Sequence, residues 1–251
     1  MSHTIVPAQL EKFTAVNAKA KKMINRNKFI QAYRAYGTNF SVNAGVDTGY
    51  APVRNFRDRT DERCRNLSGE VMADRYHTTH ACCAPCTVLC GHKGTYPDGT
   101  VRYIPEYETV GLWGGNLMNF DPDIIGVWND RMNELGIDTI SCGATVGWAM
   151  EAAEKGLRPS ILEFGKTDNI STMLDDIAYC RGEGAELAQG TKRLAQKYGG
   201  LDFAAQVKGL EMAAYDPRAG WGQGLNYAIA NRGGCHLNAY PIAMEAIFKF
   251  I

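Results

Sequence analysis

Apolar residues recur at helical intervals over most of this chain. In PAQLEKFTAVNAKAKKMI, Leu10, Phe13, Val16, Ala20 and Ile24 fall on one face with lysines between them, which predicts an amphipathic helix. DPDIIGVWNDRMNELG is marked at both ends. Asp121 is an N-cap, Pro122 suits the first helical position, Ile124, Val127, Trp128, Met132 and Leu135 line one face, and Gly136 closes the helix. GATVGWAMEAAEKG, STMLDDIAYCRGEG and AELAQGTKRLAQKYGG read as three more helices with glycine stops. The final AMEAIFKFI reads as apolar helix with no polar tail, a face that needs further protein to cover it.

Three stretches break this texture. Residues 36–80 are rich in turn formers and charge, which predicts loops and short helices. GTYPDGTVRYIPEYETVGL alternates polar and apolar residues about a Pro-Asp-Gly turn, which predicts a small β-hairpin. The glycine-rich run from Arg218 to Gly234 reads as a loop whose glycines let backbone approach a bulky cofactor or substrate, with Arg218 and Arg232 facing anionic groups. It fits neither nucleotide-loop motif, and no long repeat stands out, so the fold class is mostly α with one hairpin.

Composition narrows the function. With 251 residues, 45% of them hydrophobic, the chain can bury a real core, and 27 basic residues against 27 acidic ones leave no field to draw nucleic acid or a membrane surface. The sequence contains no run of about 18 apolar residues and starts without a secretory pattern, which predicts a cytoplasmic protein. In that reducing setting eight cysteines point to metal or redox chemistry rather than disulfides, while Cys64, Cys142 and Cys180 read as small buried hydrophobes.

Half of the cysteines lie within nine positions, in ACCAPCTVLCGH. Cys83, Cys86 and Cys90 fit C-x2-C-x3-C, and on a helix beginning near Pro85 they fall within a sector of about 60°. Three thiolates on one face suit an iron-sulfur cluster; Cys82 points elsewhere and is not counted as a ligand. Zinc is the rival reading, completed by His77, His80, His92 or Cys82, although no second C-x2-C knuckle is present; unliganded thiols are the third.

CAPCTVLCGH, PEYETVGLWGG, NELGIDTISCGATVGWAMEAAEKG and KGLEMAAYDPRAGWGQGLNYAIANRGGCHLNAY together resemble, in order and spacing, the tungsten- or molybdenum-containing aldehyde ferredoxin oxidoreductase family. The resemblance implies two packed helical domains, here residues 1–157 with the cysteines and a pterin-contact loop, and residues 158–251 as a second, truncated domain. It implies a bis-pterin tungsten or molybdenum centre beside a 4Fe-4S cluster, with Cys83, Cys86 and Cys90 as three cluster ligands. Asn133, Gly136, Ile137 and Asp138 match the loop that touches the pterin, Asn133 standing where aspartate is common. Glu108 and His236 match an acid-base pair near the metal.

Taken alone, these residues also have plain readings. Gly136 to Asp138 is a helix stop leading into the next cap, Glu108 an exposed strand residue, and His236 a hydrogen-bonded core histidine. The chain also departs from the family. It lacks the β-rich first domain and the stretch holding a fourth cluster cysteine, which Cys235 does not replace. The expectation is therefore a fragment or subunit that completes its site with missing domains or partner subunits, oxidises an aldehyde or related oxo substrate, and passes electrons to ferredoxin or another carrier. The alternative is a non-catalytic iron-sulfur electron-transfer subunit or a zinc-stabilised scaffold module.

Overall fold

The computed structural model describes residues 6–247. Helices dominate, as the periodicity predicts. The pair α1 (Leu10–Arg26) and α2 (Lys28–Tyr36) leads into the short helices α3 (Val42–Thr48) and α4 (Gly69–Tyr76) of the irregular stretch. α1 buries none of its residues: Leu10, Phe13, Val16 and Met23 are each more than half exposed.

Strands β1 (Thr79–His80), β2 (His92–Thr95) and β3 (Val101–Tyr103) form one antiparallel sheet, so the predicted hairpin gains a third strand from before the cysteines. It also ends sooner than the alternation implies. Residues 107–113 are helix α5 (Tyr107–Trp113), in which all but Glu108 are buried, and a helix buried on every side shows no 3.6-residue rhythm.

α6 (Pro122–Leu135) runs between the caps read from the sequence: the Asp121 side chain accepts from the Asp123 N–H, and Gly136 closes the helix at φ 69°. α7 (Thr139–Glu154) starts four residues earlier than its apolar run implies, because Asp138 caps it. α5 and α7 pack together at the centre, where a Cβ on Gly143 would stand 2.9 Å from the Leu112 Cβ.

The two helices expected over 171–200 are three: α8 (Ile170–Ala178), α9 (Gly182–Leu187) and α10 (Thr191–Tyr198). Gly182 at φ 49° and Gly190 at φ 81° break the run where periodicity alone carries on. Cys180, expected to be buried, is exposed: at φ 51° it turns outward as the chain leaves α8, whereas Cys64 and Cys142 are buried as predicted.

A hairpin of β4 (Gln206–Val207) and β5 (Leu210–Glu211) precedes α11 (Trp221–Ile229), which occupies the expected glycine-rich loop. The Glu245 carboxylate makes it a helix, accepting from the Gly222 N–H at 2.7 Å and the Gln223 N–H at 3.1 Å. Gly220 and Gly222 therefore admit the chain's own Ile242 and Glu245, not a cofactor. Trp221, Leu225 and Ile229 form an apolar stripe, each more than half exposed. Residues Ala243–Ile247 make a π-helical turn, and Phe248 to Ile251 of the predicted terminal helix lie outside the described residues.

One hydrophobic cluster spans both sides of residue 157, with Trp113, Trp148, Leu162, Leu174 and Leu194 among its members. No helix of the described residues is long and apolar enough to cross a membrane.

Candidate active site

The N-terminus of α5 is pinned by Thr38, whose Oγ1 accepts from the Tyr107 N–H at 2.8 Å and donates to Glu106 Oε2 at 2.5 Å. That places Glu108 inside the molecule, not on an exposed strand. Its Oε2 accepts from the Ala214 N–H at 2.7 Å, while Oε1 is buried with no hydrogen bond and stands 3.4 Å from His236 Nε2. His236 arrives from the loop after α11, where Asn226 Nδ2 donates to the Cys235 carbonyl at 2.9 Å and the Tyr240 N–H to the His236 carbonyl at 3.1 Å.

Burial pushes the Glu108 carboxyl up to about 7; the Ala214 N–H and the Tyr215 hydroxyl oppose this, and the negative charge of Asp138 adds to it. Burial, helped by the Arg232 cation, pushes the His236 imidazole down to about 4. The two lie within ion-pair distance, but near neutrality the imidazole is uncharged. The contact is a neutral base facing a carboxyl that gains and loses its proton near pH 7.

Three cavities meet at this pair. One of about 300 Å3 is lined by Tyr33, Thr38, Glu108, Tyr215, His236 and Tyr240. A second, of about 350 Å3, is lined by Asp138, Glu211, Arg232, Cys235 and His236. A third, also about 350 Å3, is lined by Gly91, His92, Glu106, Glu108, Asn133 and Asp138. Glu108, His236 and Asp138 each line two of them.

The fold thus gathers Glu108, His236, Asn133 and Asp138, and leaves Gly136 and Ile137 outside these cavities. The latter two perform the helix stop: the Ile137 N–H reaches the Met132 carbonyl at 2.9 Å, and the Gly136 N–H the Asn133 carbonyl at 3.3 Å. Asp138 does both jobs, since its carboxylate also accepts from the Ser141 N–H at 2.7 Å as the cap of α7. Arg232 lines a cavity, whereas Arg218 is taken up by Asp216 and the Phe56 carbonyl.

The cysteines do not sit on a helix face. Residues 81–91 are irregular, and two of their backbone donors go to sulfur: the Leu89 N–H to Cys86 Sγ at 3.4 Å and the Gly91 N–H to Cys82 Sγ at 3.0 Å. Cys83 is exposed, and Cys86 and Cys90 are half-buried. The Leu89 and Val88 N–H groups lower the Cys86 thiol pKa, with a smaller contribution from the Cys82 thiol, which was not counted as a ligand from its spacing.

Among the described residues no group of three His, Cys, Asp or Glu side chains converges tightly enough to hold a single metal ion. His92, a candidate zinc ligand, has both ring nitrogens 2.9 Å from backbone carbonyls, those of Cys90 and Arg34. A four-iron cluster carries each thiolate on a different iron, so its ligands need not meet at one point, and this thiol-rich loop fits it better than it fits zinc. The orphaned Glu108 oxygen and the adjacent cavities fit a bulky polar group beside the pair. Sequence reasoning missed Thr38, Tyr215 and Tyr240; the only local signal was Tyr240, four residues after His236.

The family model described as "Aldehyde ferredoxin oxidoreductase, domains 2 & 3" matches residues 15–250. The chain is 38% identical to the tungsten-containing aldehyde ferredoxin oxidoreductase of Thermococcus kodakarensis over 84% of its own length and 36% of that protein. It is 37% identical to the enzyme of that name from Pyrococcus furiosus, over 98% of the chain and 42% of the relative. A solved structure of the active-site complex BamBC of benzoyl coenzyme A reductase shares the fold, with a TM-score of 0.56 at 21% identity over 74% of this chain and 29% of that one. The chain spans about two fifths of the length of these curated relatives and belongs to the aldehyde ferredoxin oxidoreductase family.

Proposed function

We propose that this chain is part of a tungsten-pterin oxidoreductase that oxidises an aldehyde or related oxo substrate and passes the electrons through a 4Fe-4S cluster to ferredoxin or another carrier. The observation that carries this is the buried Glu108–His236 pair at the junction of three cavities, in a chain whose relatives are named for tungsten and aldehyde oxidation.

Asn133, Gly136, Ile137 and Asp138 would contact the pterin, and Cys83, Cys86 and Cys90 would hold the cluster. When bound, the tungsten-pterin group supplies the two-electron chemistry, and molybdenum is its alternative metal. The chain's own part is to bind, orient and move protons. Glu108, with a carboxyl near 7, can take a proton from the reacting water or substrate and release it again at neutral pH. Neutral His236 offers Nε2 as hydrogen-bond partner to the same reacting group without adding charge.

The exposed apolar faces of α1 and α11 support a site completed by further polypeptide, the missing domains or subunits of the longer relatives. The boundary near residue 157 belongs to this reading as a seam within one core. So does a cytoplasmic location, where the thiols stay reduced.

The test is to produce the chain anaerobically with the remaining polypeptide and to measure tungsten, molybdenum, iron, zinc and aldehyde-dependent reduction of a dye. Tungsten, iron and turnover support the proposal. Zinc alone overturns it, and iron without a pterin metal would favour the electron-transfer module.

A further inference from the structure

Asn133 and Asp138, the polar side chains matched to pterin contact, divide the three cavities. Asp138 lines both cavities of about 350 Å3, and Asn133 lines one of them. Neither lines the cavity of about 300 Å3, which alone of the three carries both Glu108 and His236. The acid-base pair therefore faces a space that these two side chains do not reach. We propose that this cavity is the substrate chamber and that it selects a neutral aldehyde carrying an aromatic ring; the inference rests on the function proposed above.

Four tyrosine rings line the chamber. Tyr33 comes from α2 and Tyr107 from α5, while Tyr215 and Tyr240 stand on either side of α11 in the chain. Tyr215 stacks on Tyr107 at 5.0 Å between centroids and meets Tyr240 edge-on at 5.6 Å, and Tyr240 meets the His236 ring edge-on at 5.8 Å. Three of the polar tips are occupied: the Tyr215 and Tyr240 hydroxyls hydrogen-bond to each other at 2.7 Å, and the Tyr107 hydroxyl donates to the Ala214 carbonyl at 2.8 Å. What these rings offer a ligand is carbon surface, which takes a further ring in the stacked or edge-on arrangements they already make with one another. A saturated chain makes no such contact and loses rotamer freedom on entering.

Size and charge narrow the class. At about 300 Å3 the cavity stands at the small end of ligand sites, which suits a single ring and its carbonyl group. Besides the tyrosines, its ionisable groups are Glu106, Glu108 and His236; among the described residues no lysine or arginine lines it, whereas Arg232 lines a neighbouring cavity. An anionic substituent on the substrate would lose its hydration there without meeting a cation.

The test has two arms. In this chain, benzamide stands in for the aldehyde. Its ring protons should give intermolecular nuclear Overhauser effects to the Tyr33 and Tyr240 rings, and cyclohexanecarboxamide should bind on the order of 10-fold more weakly. Contacts at Asn133 or Asp138 instead, or no binding of benzamide, overturn the chamber. In the complete enzyme the readout is the ratio of kcat/KM for benzaldehyde to that for cyclohexanecarbaldehyde. Tyr33→Leu should lower this ratio on the order of 10-fold, chiefly through the benzaldehyde KM, and Tyr33→Phe, which keeps the ring, should preserve it. An unchanged ratio in Tyr33→Leu overturns the aromatic preference. Para-carboxybenzaldehyde should have a kcat/KM about 10-fold or more below that of benzaldehyde, and equal values overturn the preference for a neutral substrate. Should the unmodified complete enzyme oxidise no aldehyde, the functional reading fails, and the benzamide contacts still decide whether an aromatic ring enters this cavity.

Discussion

Glu108 and His236 face each other across 3.4 Å, yet burial drives them from opposite directions toward their neutral forms and not toward an ion pair. The carboxyl goes up from 4.5 to about 7, so between those values the folded chain keeps a proton that the unfolded chain has released. Stability therefore falls as pH rises through that window. The imidazole goes down from 6.5 to about 4, so there the unfolded chain holds the extra proton and stability rises with pH. Where the windows overlap the two slopes cancel, and the Glu108 penalty stands fully exposed above neutrality.

Glu108→Gln should therefore stabilise the fold at pH 8, by on the order of 3 kcal/mol, and change little at pH 4. Urea unfolding at the two pH values measures this. An equal effect at both would mean that the carboxyl is not a shifted group. In the complete enzyme the same change should lower turnover on the order of 100-fold or more while the metals stay bound.

Asp138 separates a structural role from an electrostatic one. Asp138→Asn keeps an oxygen for the Ser141 N–H and removes the charge, so stability should hold within about 0.5 kcal/mol while the Glu108 titration moves down. Asp138→Ala loses the cap as well and should cost about 1 kcal/mol. Urea unfolding together with a titration of carbon-13 labelled glutamate, assigned through Glu108→Gln, tells the two apart.

Much of this architecture is legible in the sequence, and the exceptions share a cause. α6 was readable because Asp121, Pro122 and Gly136 mark its ends and one face is polar. α5 was not, because its surroundings are protein on every side and it shows no polar face to set a rhythm. α11 was hidden for another reason: its glycines weaken it locally, and the cap comes from Glu245, distant in sequence. In the site, Glu108 and His236 were found through motifs, whereas Tyr215 and Tyr240 become a pair only when folding brings their hydroxyls together.

The cysteine loop makes a prediction about metal. Cys86→Ala should abolish iron-sulfur absorption after anaerobic reconstitution and leave far-ultraviolet circular dichroism unchanged, because residues 81–91 lie outside the helices. Cys82→Ser should retain bound iron, since that sulfur serves as an acceptor for the Gly91 N–H. Iron that survives the first change undiminished, or vanishes with the second, would assign the ligands differently.

Two glycine changes test whether packing under α5 sets the chemistry of Glu108. A Cβ on Gly111 would stand 2.6 Å from the Ala214 Cβ, and the Ala214 N–H is the donor that holds down the Glu108 carboxyl. Gly111→Ala must therefore push α5 and the Ala214 segment apart. It should cost about 1–3 kcal/mol by overpacking and raise the Glu108 titration further as the 2.7 Å hydrogen bond lengthens. Gly136→Ala is the control: at φ 69° with open space around its Cβ, it should cost about 1 kcal/mol through backbone strain alone. Its Glu108 titration should stay in place, because the strain sits at the end of α6, away from Ala214. If both variants lost stability and only Gly111→Ala moved the titration, the methyl-sized space beneath α5 would be the feature that tunes the carboxyl.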